Sequence, residues 1–268
     1  ALTTSAMNIR EQGIGFWRIG ELGEAMGRFQ DSWALLAETY HRDINDLGAF
    51  FELGQAEYWI GQVYKELGAL EAAEDSYISY AEITRQLIVM QPENAEWVLE
   101  MAFALTNLGG LQIERDASKP EQALQLLQSA LEYNQIALVL DPQNSYYQSE
   151  LGQSHAFLAD AQRGVCDLEG SLQSRKKQVM LEQDLWKADK ENIDRMKLLA
   201  YAHSGYGVVQ YEMGHVDAAI ENSEEALRLM GPVLLENHQS QYLSRWVLNH
   251  KNRLVMLRAL GGDIGTLG

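Results

Sequence analysis

The chain has 268 residues, 46% of them apolar, with four prolines and a single cysteine, Cys166. One cysteine excludes an intramolecular disulfide and a zinc site of paired cysteines, and a formal charge of −17 disfavours nucleic acid and anionic lipid as partners. No apolar run is long enough to span a bilayer, and Ala1-Leu2-Thr3-Thr4 lacks the basic-then-apolar pattern of a secretion signal, so the cytoplasm is the expected location.

Along the chain one short ending recurs: Asp43-Ile44-Asn45, Gln91-Pro92-Glu93-Asn94, Asp141-Pro142-Gln143-Asn144, Asp189-Lys190-Glu191-Asn192, and a looser Glu236-Asn237-His238-Gln239. Asparagines 45, 94, 144 and 192 are 49, 50 and 48 residues apart, and the fifth ending follows about 47 later. A fixed period of this size marks stacked units, none of which can bury its apolar face alone. The period runs from end to end, so a single domain 1–268 is expected, with units near 1–45, 46–94, 95–144, 145–192 and 193–240 and a capping helix over 241–262.

Within a unit the spacing predicts two antiparallel helices. Residues Trp59, Ile60, Gly61, Val63, Tyr64 and Leu67 follow helical periodicity and Gly68 closes that helix. A second pattern carries Ala72, Ala73, Tyr77, Tyr80, Ala81, Ile83 and Leu87 and ends at Gln91-Pro92, where proline disfavours a helical predecessor. The stretch Ile83 to Met90 stays amphipathic, so helices of about 20 residues, about 30 Å long, are expected. The third unit has about two extra residues before Lys119-Pro120. In the fourth, Cys166 takes the turn position and is expected to be a partly buried small residue. In the fifth, Gly231-Pro232 predicts a kink or break within a residue or two of Gly231, because proline lacks a donor and crowds the preceding turn. After five pairs comes an unpaired helix from about Tyr242 to Leu260. Its Arg245, Asn249, Lys251, Asn252 and Arg253 suit a solvated face.

The small, aromatic, turn-glycine, alanine and aromatic positions Gly61, Tyr64, Gly68, Ala73 and Tyr77 resemble the tetratricopeptide repeat. So do Gly13, Phe16, Gly20, Ala25 and Phe29 in the first unit, and Gly207, Gly214, Ala219 and Ala226 in the fifth. The third keeps Ala123 and Ala130, and the fourth departs, with Cys166, Ser171 and Arg175 at the corresponding places. The resemblance implies an all-α, right-handed solenoid of helix pairs, longer per unit than the usual 34 residues. Long-helix arrays with the Asp-Pro-x-Asn ending look like the carboxy-terminal regions of bacterial multidomain signalling proteins. That implies a non-catalytic module that binds a protein or peptide.

The family's groove positions, carried onto this sequence, fall on first helices: Arg10, Glu11 and Trp17; Tyr58, Trp59, Gln62 and Lys65; Phe103, Thr106 and Asn107; Gln153, Phe157, Asp160 and Arg163; Tyr201, Ser204 and Tyr211. Aromatic and amide side chains of this kind suit an extended or helical peptide held by apolar anchors and amide hydrogen bonds. A homo-oligomerisation module using a terminal repeat is the second reading, and a helical-barrel enzyme, which would need two carboxylates across a cleft, the third. No phosphate loop, His-Glu-x-x-His or Gly-x-Ser-x-Gly occurs, and no catalytic residue, metal or cofactor is expected. His155 and His203, 48 residues apart, occupy equivalent positions and are expected to pack in the first-helix layer with local hydrogen bonds.

Overall fold

The computed structural model describes residues 2–115 and 120–261. Among them are eleven helices and no strand: α1 (Leu2–Arg18), α2 (Leu22–Arg42), α3 (Leu47–Glu66), α4 (Leu70–Met90), α5 (Ala95–Arg115), α6 (Pro120–Leu140), α7 (Ser145–Gly164), α8 (Leu168–Ala188), α9 (Ile193–Glu212), α10 (Val216–Glu236) and α11 (Gln241–Leu260). Odd-numbered helices are the first of each pair, and α11 stands alone after five pairs. The extra length per unit therefore lengthens helices rather than loops. The two additional residues before Lys119, and residue 262 of the capping helix, lie outside the described residues. The chain divides into two compact units, Ala1–Asp141 and Pro142–Gly268, each an array of the same helix pair.

The recurring endings are helix N-caps. Asn94 Oδ1 accepts from the Trp97 amide at 3.2 Å, Asn144 from Tyr146 at 3.1 Å, and Asn192 from Arg195 at 3.1 Å. Each satisfies a donor that the first turn leaves without a partner. At two ends the cap is a different residue from the one the repeated motif suggests. Asp46, not Asn45, accepts from Ala49 at 2.9 Å, and Ser240, one residue past the fifth ending, accepts from Leu243 at 3.2 Å. Asn45 instead donates its amide to Asp43, 3.0 Å away. The caps at 46, 94, 144, 192 and 240 then fall 48, 50, 48 and 48 residues apart.

Each of the four described turns between paired helices contains a left-handed residue. Gly20, Gly68 and Gly214 have φ of +83°, +73° and +81°, and Cys166 takes the same conformation at 63°. Beside it the next amide closes onto the carbonyl five residues back, as in Glu21 to Phe16 (3.0 Å), Ala69 to Tyr64 (2.9 Å) and Asp167 to Gln162 (2.9 Å). Cys166 is exposed, contrary to the partly buried side chain expected, and at the equivalent Gly20, Gly68 and Gly214 a Cβ would likewise meet nothing within 4 Å. A side chain here is strained where glycine is not. Cys166→Gly should therefore raise stability by about 0.5–1 kcal/mol, seen as a higher urea midpoint at an unchanged slope.

Close approach of the paired helices explains the small residues. An ideal Cβ on Gly13 would sit 2.6 Å from the Phe29 ring, on Gly61 2.6 Å from Tyr77, on Gly109 2.9 Å from Leu127, and on Gly207 3.3 Å from the Ala219 carbonyl oxygen. Across these crossings Ala25, Ala73, Ala123 and Ala219 are fully buried, as their register requires. In the fourth pair Ser171 replaces the alanine and donates across the crossing to the Ala159 carbonyl at 2.7 Å. A second small position lies seven residues earlier in every first helix, at Ala6, Gly54, Ala102, Gly152 and Ala200, all buried. The sequence carried this signal with the same period. Two close crossings per pair keep helices of this length together. In α11 the two positions carry Leu248 and Val255, 57% and 48% exposed.

Gly231-Pro232 does not break α10, which runs unbroken from Val216 to Glu236 with Pro232 inside it. Both residues face solvent, so water can satisfy the carbonyl that loses its donor. On the opposite face Leu229, Met230 and Val233 are buried against Leu199, Ala200 and Leu243. Packing on both sides of the proline thus outweighs its local penalty. Arg253 also departs from expectation. It lies off the solvated face of α11, with Nη2 3.5 Å from the Ser204 carbonyl.

Candidate functional site

In the first unit the candidate positions on α1, α3 and α5 largely engage one another. Arg10 pairs with Glu52, each side chain about a tenth exposed. Trp17 meets Trp59 edge-on with ring centroids 5.4 Å apart, Trp59 stacks on Phe29 at 5.6 Å, and Tyr58 meets it edge-on at 5.1 Å. Gln62 Nε2 donates to Asn107 Oδ1 at 2.9 Å, and Asn107 Nδ2 donates to the Phe103 carbonyl at 2.8 Å. Lys65 pairs with Glu114 at 2.8 Å. Trp17, Tyr58, Trp59 and Phe103 are all half-buried.

Two carboxyls in this unit are displaced from ordinary behaviour. Glu100 accepts from Gln55 at 2.7 Å and from the Tyr80 hydroxyl, and burial holds its pKa up despite both bonds. Glu57 is likewise raised by burial, with Trp33 Nε1 donating to it at 2.7 Å. The pairs Gln55–Glu100 and Gln62–Asn107 are both 45 residues apart, three short of the local period, so adjacent first helices meet about one turn out of register. Complementary polar residues at the period minus three are the sequence signal of this contact.

In the second unit the same face is more open. On α7, Phe157 is 47% exposed and Gln153 half-buried, and on α9 Tyr211 is 37% exposed. Asp160, half exposed, accepts from Arg175 at 2.6 Å and lies 3.7 Å from Arg163, which itself pairs with Glu212 at 3.2 Å. Tyr201 is half-buried 5.6 Å from the Trp246 ring, and burial with a nearby Tyr242 pushes its pKa up to about 12. Ser204 Oγ lies 2.5 Å from His250 Nε2, while His250 Nδ1 lies 2.8 Å from the Trp246 carbonyl. The imidazole therefore donates from Nδ1 and accepts the serine proton at Nε2.

His155 is buried, and burial, with Lys177 nearby, lowers its pKa to about 4. His203 Nδ1 instead meets Asn222 Oδ1 at 2.7 Å on its own pair's second helix. Among the described residues no three His, Cys, Asp or Glu side chains gather as metal ligands, and no helix is long and apolar enough to cross a membrane.

Paired helices of 17 to 21 residues, a left-handed residue in each of the four described turns and small residues at the crossings define a tetratricopeptide-type helical repeat fold. Among solved structures the chain is similar to BtubC (BKLC) from P. vanneervenii, at 14% identity over 90% of this chain and 85% of that one, with a TM-score of 0.62. It is also similar to the apo form of RapI, at 12% identity and a TM-score of 0.65 over 96% of this chain, which spans 59% of the RapI chain. A thermophilic TPR protein of Thermus thermophilus, TTC0263, aligns at 16% identity with a TM-score of 0.46 over 91% of this chain and 98% of that one. No protein-family model and no curated protein matches the chain.

Proposed function

We propose that residues 1–268 act as a non-catalytic protein-interaction module that receives a peptide or protein segment on its first-helix face. The observation that carries this reading is Phe157. It stands at a groove position and stays 47% exposed, with the half-exposed carboxylate of Asp160 one turn away. Tyr211, at another groove position, adds a second exposed ring. An exposed aromatic beside a charged group is the composition of a binding hot spot. The repeat length and the Asp141-Pro142-Gln143-Asn144 ending support a regulatory role as part of a larger bacterial signalling protein acting in the cytoplasm.

Peptides selected from a random display library against the intact chain provide the test. Phe157→Ala and Tyr211→Ala should leave the thermal midpoint unchanged and weaken the selected peptides by about tenfold, or 1–2 kcal/mol. Peptides indifferent to both changes would sink this assignment. One feature favours the homo-oligomer reading instead. Leu248, Val255 and Met256 on α11 are 57%, 48% and 45% exposed, and a mass in solution above that of one chain, reverting with Val255→Lys, would support it.

A further inference from the structure

Helix α8 differs from every other second helix in what it buries. On α4 the inward positions are Ala73, Ser76, Tyr77, Tyr80, Thr84 and Leu87. On α8 the equivalent positions are Ser171, Ser174, Arg175, Gln178, Glu182 and Leu185, five polar and one apolar. Four of the five polar residues find partners. Ser171 donates to Ala159, Ser174 to Gln162 Oε1 at 2.7 Å, and Arg175 to Asp160 and to Gln178 Oε1 at 2.8 Å.

Glu182 is the exception. It is fully buried, and neither carboxylate oxygen has a hydrogen-bond partner among the described residues. Its place is the one held by Leu36, Thr84, Asn134 and Met230 in the other second helices. One oxygen lies directly against Gly152 of α7, 2.8 Å from where a Cβ would be. A carboxylic acid can occupy such a place, whereas a carboxylate there has lost its water and gained no donor. We propose that the fourth repeat is a pH-responsive element: Glu182 is seated as the neutral acid, and loss of its proton loosens α8 from α7 and α9.

The charges facing it from both neighbouring helices are Glu150 on α7 and Arg195 on α9. Burial pushes both Glu182 and Glu150 up to about 7. Arg195 pulls each down, and Glu150 adds repulsion on Glu182. Arg195 spends a guanidinium N–H on the Ser145 carbonyl, 3.2 Å away. Because the folded-state value lies above the ordinary 4.5, the unfolded chain releases its proton first. Stability contributed by the neutral acid is complete below about pH 4.5 and is lost as pH rises toward about 7. His155 and His250, both lowered to about 4 mainly by burial, act oppositely. They remove stability as pH falls below the ordinary histidine value, so the Glu182 contribution is read as a difference between variants.

Thermal unfolding of the full chain and of Glu182→Gln, which keeps the shape and fixes the neutral form, should give equal midpoints at about pH 4. Near about pH 8 the variant should melt higher by roughly 5 °C. Hydrogen exchange in α8, corrected for intrinsic chemistry, should quicken with pH in the parent chain and not in the variant. Glu191→Gln, on the exposed connection after α8, should track the parent. Parallel pH profiles for the parent and Glu182→Gln would overturn the proposal. If the variant does not fold, infrared spectra of Glu150→Gln, which removes the other carboxyl held up near about 7, decide: a carboxylic-acid C=O band present at about pH 6 and lost by about pH 8 supports it, and its absence at both overturns it.

Discussion

Replacing Arg10 by methionine should destabilise the first unit by about 3–5 kcal/mol. Arg10 reaches from α1 to Glu52 on α3, and both side chains are about nine-tenths shielded from water. Removing the guanidinium leaves a buried carboxylate without its counter-charge, a larger loss than the pair's own net contribution. The double change Arg10→Met with Glu52→Leu should recover most of the loss, since an apolar pair of similar volume is tolerated where an ion pair was. Urea midpoints of the three proteins check this. The same experiment tests the groove assignment at this position. A folded, stable Arg10→Met protein that has lost only its selected peptides would make Arg10 a partner contact instead of a strut between repeats.

Gly61→Leu should cost about 1–3 kcal/mol, and Gly27→Ala should do the reverse. At Gly61 a new side chain would run into the Tyr77 ring, 2.6 Å from its first atom, and the Ser76 Cβ, 3.3 Å away. Tyr77 is fully buried and has no free volume to move into. Gly27 also lies inside a helix, but nothing stands within 4 Å of a Cβ there. Alanine should therefore gain the ordinary helix-propensity difference of about 0.5–1 kcal/mol. Opposite signs from two helical glycines, measured by denaturant midpoint, would establish that the crossing and not backbone entropy makes Gly61 necessary. Equal signs would remove that account.

Much of this fold is legible because each rule acts over a few residues. The caps, the left-handed turn and the small residues of the crossing all repeat with one period, so each copy corroborates the others. Cys166 shows the strength of that agreement: its backbone adopts the glycine conformation because its neighbours impose it. Pro232 does not end its helix because the buried Leu229, Met230 and Val233 hold the helix on either side of it, a tertiary effect that no window around the proline contains. Less of the candidate site was legible. Groove positions name the face a residue lies on but not what leans over it from the next repeat. Gln62 and Asn107 were placed on the right helices, yet their mutual hydrogen bond depends on a one-turn offset between neighbours. Nothing in the sequence around Glu182 distinguishes it from the many acidic residues of an array with a formal charge of −17. Only the packed helices put it against Gly152.

The residues at the two crossings of α11 set a rule for construction. A designed second helix appended after α11 would meet Leu248 and Val255 where the five preceding pairs offer only glycine or alanine, and would be held away at both points. Lengthening the array by one synthetic hairpin therefore calls for Leu248→Ala and Val255→Gly before any change to the added segment.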